Sequence, residues 1–419
     1  MIFRLPMAMF LVLAVLMVGC KQAEVADTDT GKGEIVIGYL EDLSGPLAAT
    51  VGPQKDGGLD AFRYMNEEQD GILGHPVRPV VVDFRMDPAL AASGWDRLKG
   101  EGAVLVMSGA SAAARMIINS CEHDRIVTIG SSSDADDLFP KQPSFYFSTF
   151  PHLFGAFDSM CDLAEKDWAK KGEGRTPKIG FDIIALGSYQ RVFGKASKLV
   201  AEKRGWDYIV TNTSIMPASA ATQVLQMKDF DPDYVLLCGT SPALVTWFKD
   251  MERQDFHPVI FGALTLGDPE IWSAVGDLCI GSTFYQHGPQ WSDTDLDGIK
   301  LLHDLNAKWH PEVGSRPGVY PRGFSHAMAA SEAIKRAIEN VGYENLNSEA
   351  VRTAMETIND FDPMGWGAPY TWTPTDHQGT TGCLWYQWAE GGTMVRASDW
   401  ISYEPLPQEW RTAEWWLKD

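Results

Sequence analysis

Residues 34–87 constrain this chain more than any other stretch. An apolar run, Ile35-Val36-Ile37-Gly38-Tyr39-Leu40, leads through the turn Ser44-Gly45-Pro46 into a helical segment over about 53–68. The turn residues Asp70-Gly71 and Gly74-His75-Pro76 follow, and a second apolar run, Val80-Val81-Val82, ends near Asp83. Strand, loop, helix and strand in this order make a βαβ unit, which commits the chain to a parallel sheet. Ligands of such sheets collect beyond the carboxyl ends of the strands, where loops enter helix N-termini. The loop 41–52 is therefore the first candidate for function.

The alternation continues. Residues 103–107 read as a strand that empties into Ser108-Gly109-Ala110-Ser111, and residues 126–129 as one that empties into Gly130-Ser131-Ser132-Ser133. A further extended segment, 145–150, closes the first half. The pattern then restarts: strands over 179–184, 208–210, 234–237 and 259–261 lead into loops at Tyr189, Thr240 and Leu264. Residues 278–285 read as a last strand of this half. Helices over 295–309, 321–341 and 348–358 lack intervening strands, so they are expected to cover the first lobe. Residues 361–372 and 384–388 read as strands, and the tail carries Trp400, Trp410, Trp415 and Trp416. The fold class is α/β, with two Rossmann-like lobes built on parallel sheets. More than one crossover joins them, which makes a hinge and a cleft suited to a small ligand. The expected segments are 34–150 for lobe one, 151–283 for lobe two, 284–362 for the helical completion of lobe one, 363–395 for the last strands of lobe two, and 396–419 for the tail.

A chain of 419 residues exceeds one ordinary core, and 45% hydrophobic residues with 15 Trp allow a large interior. The formal net charge of −21 argues against nucleic acid as a partner and against electrostatic docking on anionic lipid. Residues 1–19 belong to export: Arg4 supplies the positive start, residues 7–18 are apolar, and Gly19 precedes Cys20. The ending Leu16-Met17-Val18-Gly19-Cys20 resembles a bacterial lipobox, with Leu one place early, and implies lipidation of Cys20. The polar segment 20–33 then serves as a tether. The remaining Cys121, Cys161, Cys238, Cys279 and Cys383 are widely spaced and form no C-x-x-C pair. No metal site and no cofactor are expected.

In order and spacing, several pieces resemble the periplasmic solute-binding proteins of branched-chain (hydrophobic) amino acid ABC transporters, which have the type I periplasmic-binding fold. They are Ile37-Gly38 through Leu43-Ser44-Gly45-Pro46-Leu47-Ala48, Asp70-Gly71-Ile72-Leu73-Gly74-His75-Pro76-Val77, Asp83 through Asp87-Pro88, Tyr189, and Asp376-His377-Gln378-Gly379. The resemblance implies that Ser108, Ala110 and Ser111, with Ser131, Ser132 and Ser133, grip a ligand carboxylate. Hydroxyls and free N–H groups at helix starts suit that task, although serine is also a good helix cap. It implies that Tyr189 closes over the ligand and that the Thr240 loop faces the cleft. It also puts Leu264 where amino-acid binders carry an acid for the ligand's ammonium. An ammonium buried against Leu264 would be unpaired, so either Glu41 or Asp42 takes the role or the ligand lacks an ammonium.

The implied partners are a small ligand and an inner-membrane ABC permease, with the membrane touched only through the lipid, in an exported periplasmic monomer. Catalysis is not expected. Gly194-Lys195 has the wrong spacing for a P-loop, and no G-x-S-x-G or H-E-x-x-H motif occurs. Two alternatives stand beside the amino-acid carrier. One is a binder of an aromatic or aliphatic acid or amide; the other is a sensory protein reporting to a receptor.

Overall fold

Strand β1 (Ile35–Glu41) is buried almost throughout and pairs in parallel with β2 (Val77–Asp83) on one side and β3 (Leu105–Met107) on the other. This computed structural model describes residues 33–418, Ala110 excepted. The export segment 1–19, the lipidation site Cys20 and Ala110 therefore lie outside the described residues. Between the strands run α1 (Ala48–Glu68) and α2 (Pro88–Gly100), the latter started by Asp87, whose carboxylate accepts the N–H groups of Ala89 and Leu90. After β3 come α3 (Ser111–Asp124), β4 (Val127–Gly130), the short α4 (Ala135–Leu138) and β5 (Tyr146–Ser148). The first sheet has the order β2-β1-β3-β4-β5 and is parallel throughout.

Lobe two starts with α5 (Leu153–Lys171), β6 (Lys178–Ile184), α6 (Gly187–Arg204), β7 (Asp207–Thr213) and α7 (Ala221–Phe230). It goes on through β8 (Tyr234–Cys238), α8 (Ser241–Arg253), β9 (Val259–Gly262), α9 (Pro269–Val275) and β10 (Thr283–Gln286). The chain then returns to lobe one with α10 (Asp297–Trp309), α11 (Val319–Val341) and α12 (Ser348–Met355), whose apolar faces join the core around β1 to β4. Strands β11 (Gly382–Ala389), β12 (Thr393–Arg396) and β13 (Ile401–Ser402) and the short α13 (Ala413–Leu417) complete lobe two. Its sheet has the order β12-β11-β10-β9-β8-β6-β7, with β13 on β11; the pairs made by β11 with β10, β12 and β13 are antiparallel.

Residues 361–372 are not a strand. A single bridge joins Phe361 to Tyr370, and Trp366, Tyr370 and Trp372 are instead buried in the core of lobe one. Pro363 and Pro369 cannot donate to a ladder, so the apolar run packs as a loop. The return to lobe two consequently falls at about 378–382, later than the expected 363. Only 283–286 of the expected strand 278–285 pairs, because the chain turns through Gly276–Cys279 first. The tail is also part of lobe two, with Trp416 buried in its core.

Among the described residues the lobes are joined three times, at about 148–152, 286–290 and 378–382. The connections brace one another. Ser148 bridges Gln378, Phe150 meets His287 edge to face at 5.1 Å, and Trp372 Nε1 donates to the Ser148 carbonyl at 3.0 Å. Within lobe one, α1 and α11 cross closely enough that a Cβ on Gly323 would lie 1.8 Å from the Gln54 carbonyl oxygen. Only glycine permits that approach.

Candidate functional site

The chain goes from β1 to β2 on one side and then back past β1 to β3 on the other, so the carboxyl ends of β1 and β3 form the switch point of the sheet. Glu41 ends β1, and Ser108 and Gly109 follow β3. Glu41 is only 2% exposed. Its Oε1 accepts the Gly109 N–H at 2.7 Å, while Oε2 is buried without a partner. Burial pushes its carboxyl up to about 8, against the Gly109 N–H and the charge of Lys55. The Ser108 hydroxyl and the Tyr39 phenol are likewise buried and unpartnered. Gly109 permits the close fit, since a Cβ there would lie 3.0 Å from Gln54 Nε2 and 3.3 Å from Glu41 Oε1.

The rest of the cluster comes from α1 and α11. Arg322 Nη2 donates to Gln54 Oε1 at 3.1 Å, and Gln54 Nε2 lies 3.4 Å from His326 Nδ1. The guanidinium sits over the Phe150 ring at 5.1 Å. Its Nε is buried without an acceptor, and burial brings its pKa down to about 10. Burial, reinforced by the Arg322 charge, holds His287 and His326 far below the usual histidine range, so both are neutral at physiological pH. In lobe two, burial pushes Asp268 up to about 6, against the hydroxyl it accepts from Ser241 and the charge of Arg322. Tyr39, Glu41, Gln54, Ser108, Gly109 and His326 line a cavity of about 10 Å³, room for about one water.

Of the expected residues, Glu41 and Ser108 thus come together. Asp42 does not join them, because its two oxygens are spent on the N–H groups of Gly45 and Leu47. Ser131 stands behind the site and donates to the Gly109 carbonyl at 3.0 Å. Ser132 is used by its own loop: its hydroxyl donates to Asp137 and accepts the Asp134 N–H. Ser111 is exposed at the start of α3, and Ser133 is half-buried. In lobe two, Tyr189 packs edge to face on Phe193 at 5.6 Å, and the Thr240 hydroxyl donates to the Ile215 carbonyl at 2.6 Å. Leu264 lies on the lobe-two core, with its carbonyl accepting Gln286 Nε2. None of these three lines the small cavity.

Sequence reasoning missed Gln54, Arg322, His326 and Asp268. A signal for two of them existed, since Arg322 and His326 are one turn apart on the face of α11 that is otherwise apolar. Asp268 lies four residues past Leu264, beyond the loop that the strand pattern marked out.

The sequence model of the family described as periplasmic binding protein matches residues 34–393. The chain belongs to that family. This periplasmic binding protein is therefore a solute binder and not an enzyme. It is 23% identical over 378 residues to the Leu/Ile/Val-binding protein BraC3 of Rhizobium johnstonii, covering 90% of this chain and 97% of that one. Its fold is similar to that of a branched-chain amino acid ABC transporter protein from Thermus thermophilus, solved with bound valine. The TM-score is 0.72 at 20% identity, with 88% of this chain and 97% of that one covered. A fatty acid ABC transporter substrate-binding protein from Thermomonospora curvata is equally similar, with a TM-score of 0.72 at 20% identity and coverage of 89% and 93%.

Proposed function

We propose that this protein captures a hydrophobic amino acid, or a related carboxylate-bearing solute, between its lobes and presents it to an inner-membrane ABC permease. The observation that carries the reading is the set of buried, unpartnered polar atoms at the lobe-one switch point: Glu41 Oε2, Ser108 Oγ and Arg322 Nε. Buried groups of this kind find partners, and a zwitterion supplies complementary ones. Its ammonium goes to Glu41, which gives up its proton once the cation sits beside it and so takes the role that Leu264 cannot fill, and its carboxylate goes to Arg322 and Ser108. Ser131 holds the Gly109 backbone in place. In this reading Tyr189, Thr240 and Leu264, which follow β6, β8 and β9, form the opposing wall. The similarity to a Leu/Ile/Val-binding protein and to a valine-bound structure supports the ligand class.

Calorimetry with hydrophobic amino acids tests the assignment. Ser108→Ala should weaken binding by about 1–3 kcal/mol, whereas Ser132→Ala, whose hydroxyl serves its own loop, should leave it nearly unchanged. Parental affinity in Ser108→Ala would remove Ser108 from the site. The proposal includes a lipid on Cys20 as the anchor. Cell fractionation reads this directly, because Cys20→Ala should move the chain from membranes to the soluble fraction.

A further inference from the structure

The lobes share a groove of about 520 Å³, much larger than the small cavity. Trp272, Trp388 and Met394 of lobe two line it together with Trp291 and Val319 of lobe one. The Trp272 and Trp388 rings lie 6.1 Å apart at 29°, and Trp388 is held by its Nε1 donating to the Leu266 carbonyl at 2.8 Å. Two donors in this wall lack acceptors. Trp291 is 8% exposed, and its indole N–H is buried and unpartnered. Arg316 gives its Nε to Asn306 Oδ1 at 2.8 Å, yet its Nη2 is also buried without a partner. Neither group can accept a hydrogen bond; both atoms are covered in this state, and a guest that turns them toward the groove would complete them with an acceptor oxygen.

The groove approaches the site already described along α11. Asp268, within range of the Arg322 charge, lines it, and Val319 in the groove is one helical turn before Gly323 in the small cavity. Its size falls in the range of about 300–1,000 Å³ typical of pockets for drug-sized ligands. An aliphatic amino acid would cover little of it. Half-buried Trp272, backed by the buried Trp388, offers an aromatic guest offset or edge-to-face contact.

We infer that the groove receives the apolar body of the solute, and that this body is a bulky aromatic group carrying an ether or carbonyl oxygen. The inference rests on the preceding reading, in which the Glu41, Ser108 and Arg322 cluster holds the charged head.

Calorimetry on the full chain with leucine, tryptophan and O-benzyltyrosine tests it. O-benzyltyrosine should bind at least about tenfold tighter than leucine. Trp272→Ala should abolish that advantage while leaving leucine unaffected. Ser315→Trp, which fills the groove from its exposed rim, should do the same without disturbing the core. Glu41→Gln should weaken all three ligands. If the two aromatic compounds bind no tighter than leucine, or do not bind, the inference is overturned. It is overturned equally if both groove variants leave the advantage intact. If Glu41→Gln changes nothing while the groove variants act, the head assignment fails and the groove stands.

Discussion

Glu41 is held in a protonation state unusual for a carboxyl group. With its folded value near 8 and an ordinary value of 4.5, the folded chain binds more protons at this site than the unfolded chain between those limits. Stability from this group is therefore fully present below about pH 4.5 and is lost as pH rises through 8. Glu41→Gln keeps an acceptor for the Gly109 N–H and removes the titration. It should match the parent near pH 4 and exceed it by about 1–3 kcal/mol at pH 8.5 in urea titrations; identical pH profiles would place the Glu41 carboxyl in water. The acid at this position is readable from the residues as the end of a strand. Its burial is not, because the side chains that bury it, Tyr39, Gln54 and His326, come from β1, α1 and α11.

At the level of elements, the repeating strand, loop and helix pattern is legible because burial on both faces of a parallel sheet demands apolar runs. Residues 361–372 carry the same apolar signature for another reason, since their rings fill a gap in lobe one. The tail is a second case. Trp410 stacks on Trp415 at 4.6 Å, Trp416 Nε1 donates to the Trp410 carbonyl at 2.8 Å, and Lys195 of α6 lies over the Trp415 ring at 4.0 Å. The Ala413 N–H reaches Asp136 of α4 at 3.0 Å, in the segment that follows the serine loop. The tail is therefore an outer layer of lobe two. Trp416→Ala should cost about 3–5 kcal/mol by denaturant unfolding. A loss below about 1 kcal/mol would show that the tail only lies on the surface.

For the molecule as a whole, three braced connections leave rotation of one lobe against the other as the available motion. A solute that contacts both walls shifts the population toward closure in proportion to its differential affinity. Small-angle scattering should record a smaller radius of gyration on addition of a tight ligand, and an unchanged curve would argue against closure. By itself the sequence determined the α/β class, the two lobes and the strand ends where ligands gather. Those features follow from hydrophobic period and turn chemistry, which are local. Only the tertiary structure decided which polar groups are buried without partners, where the chain crosses back, and that tryptophans from distant segments share one groove. Those are meetings between residues far apart in the chain, and no local pattern encodes them.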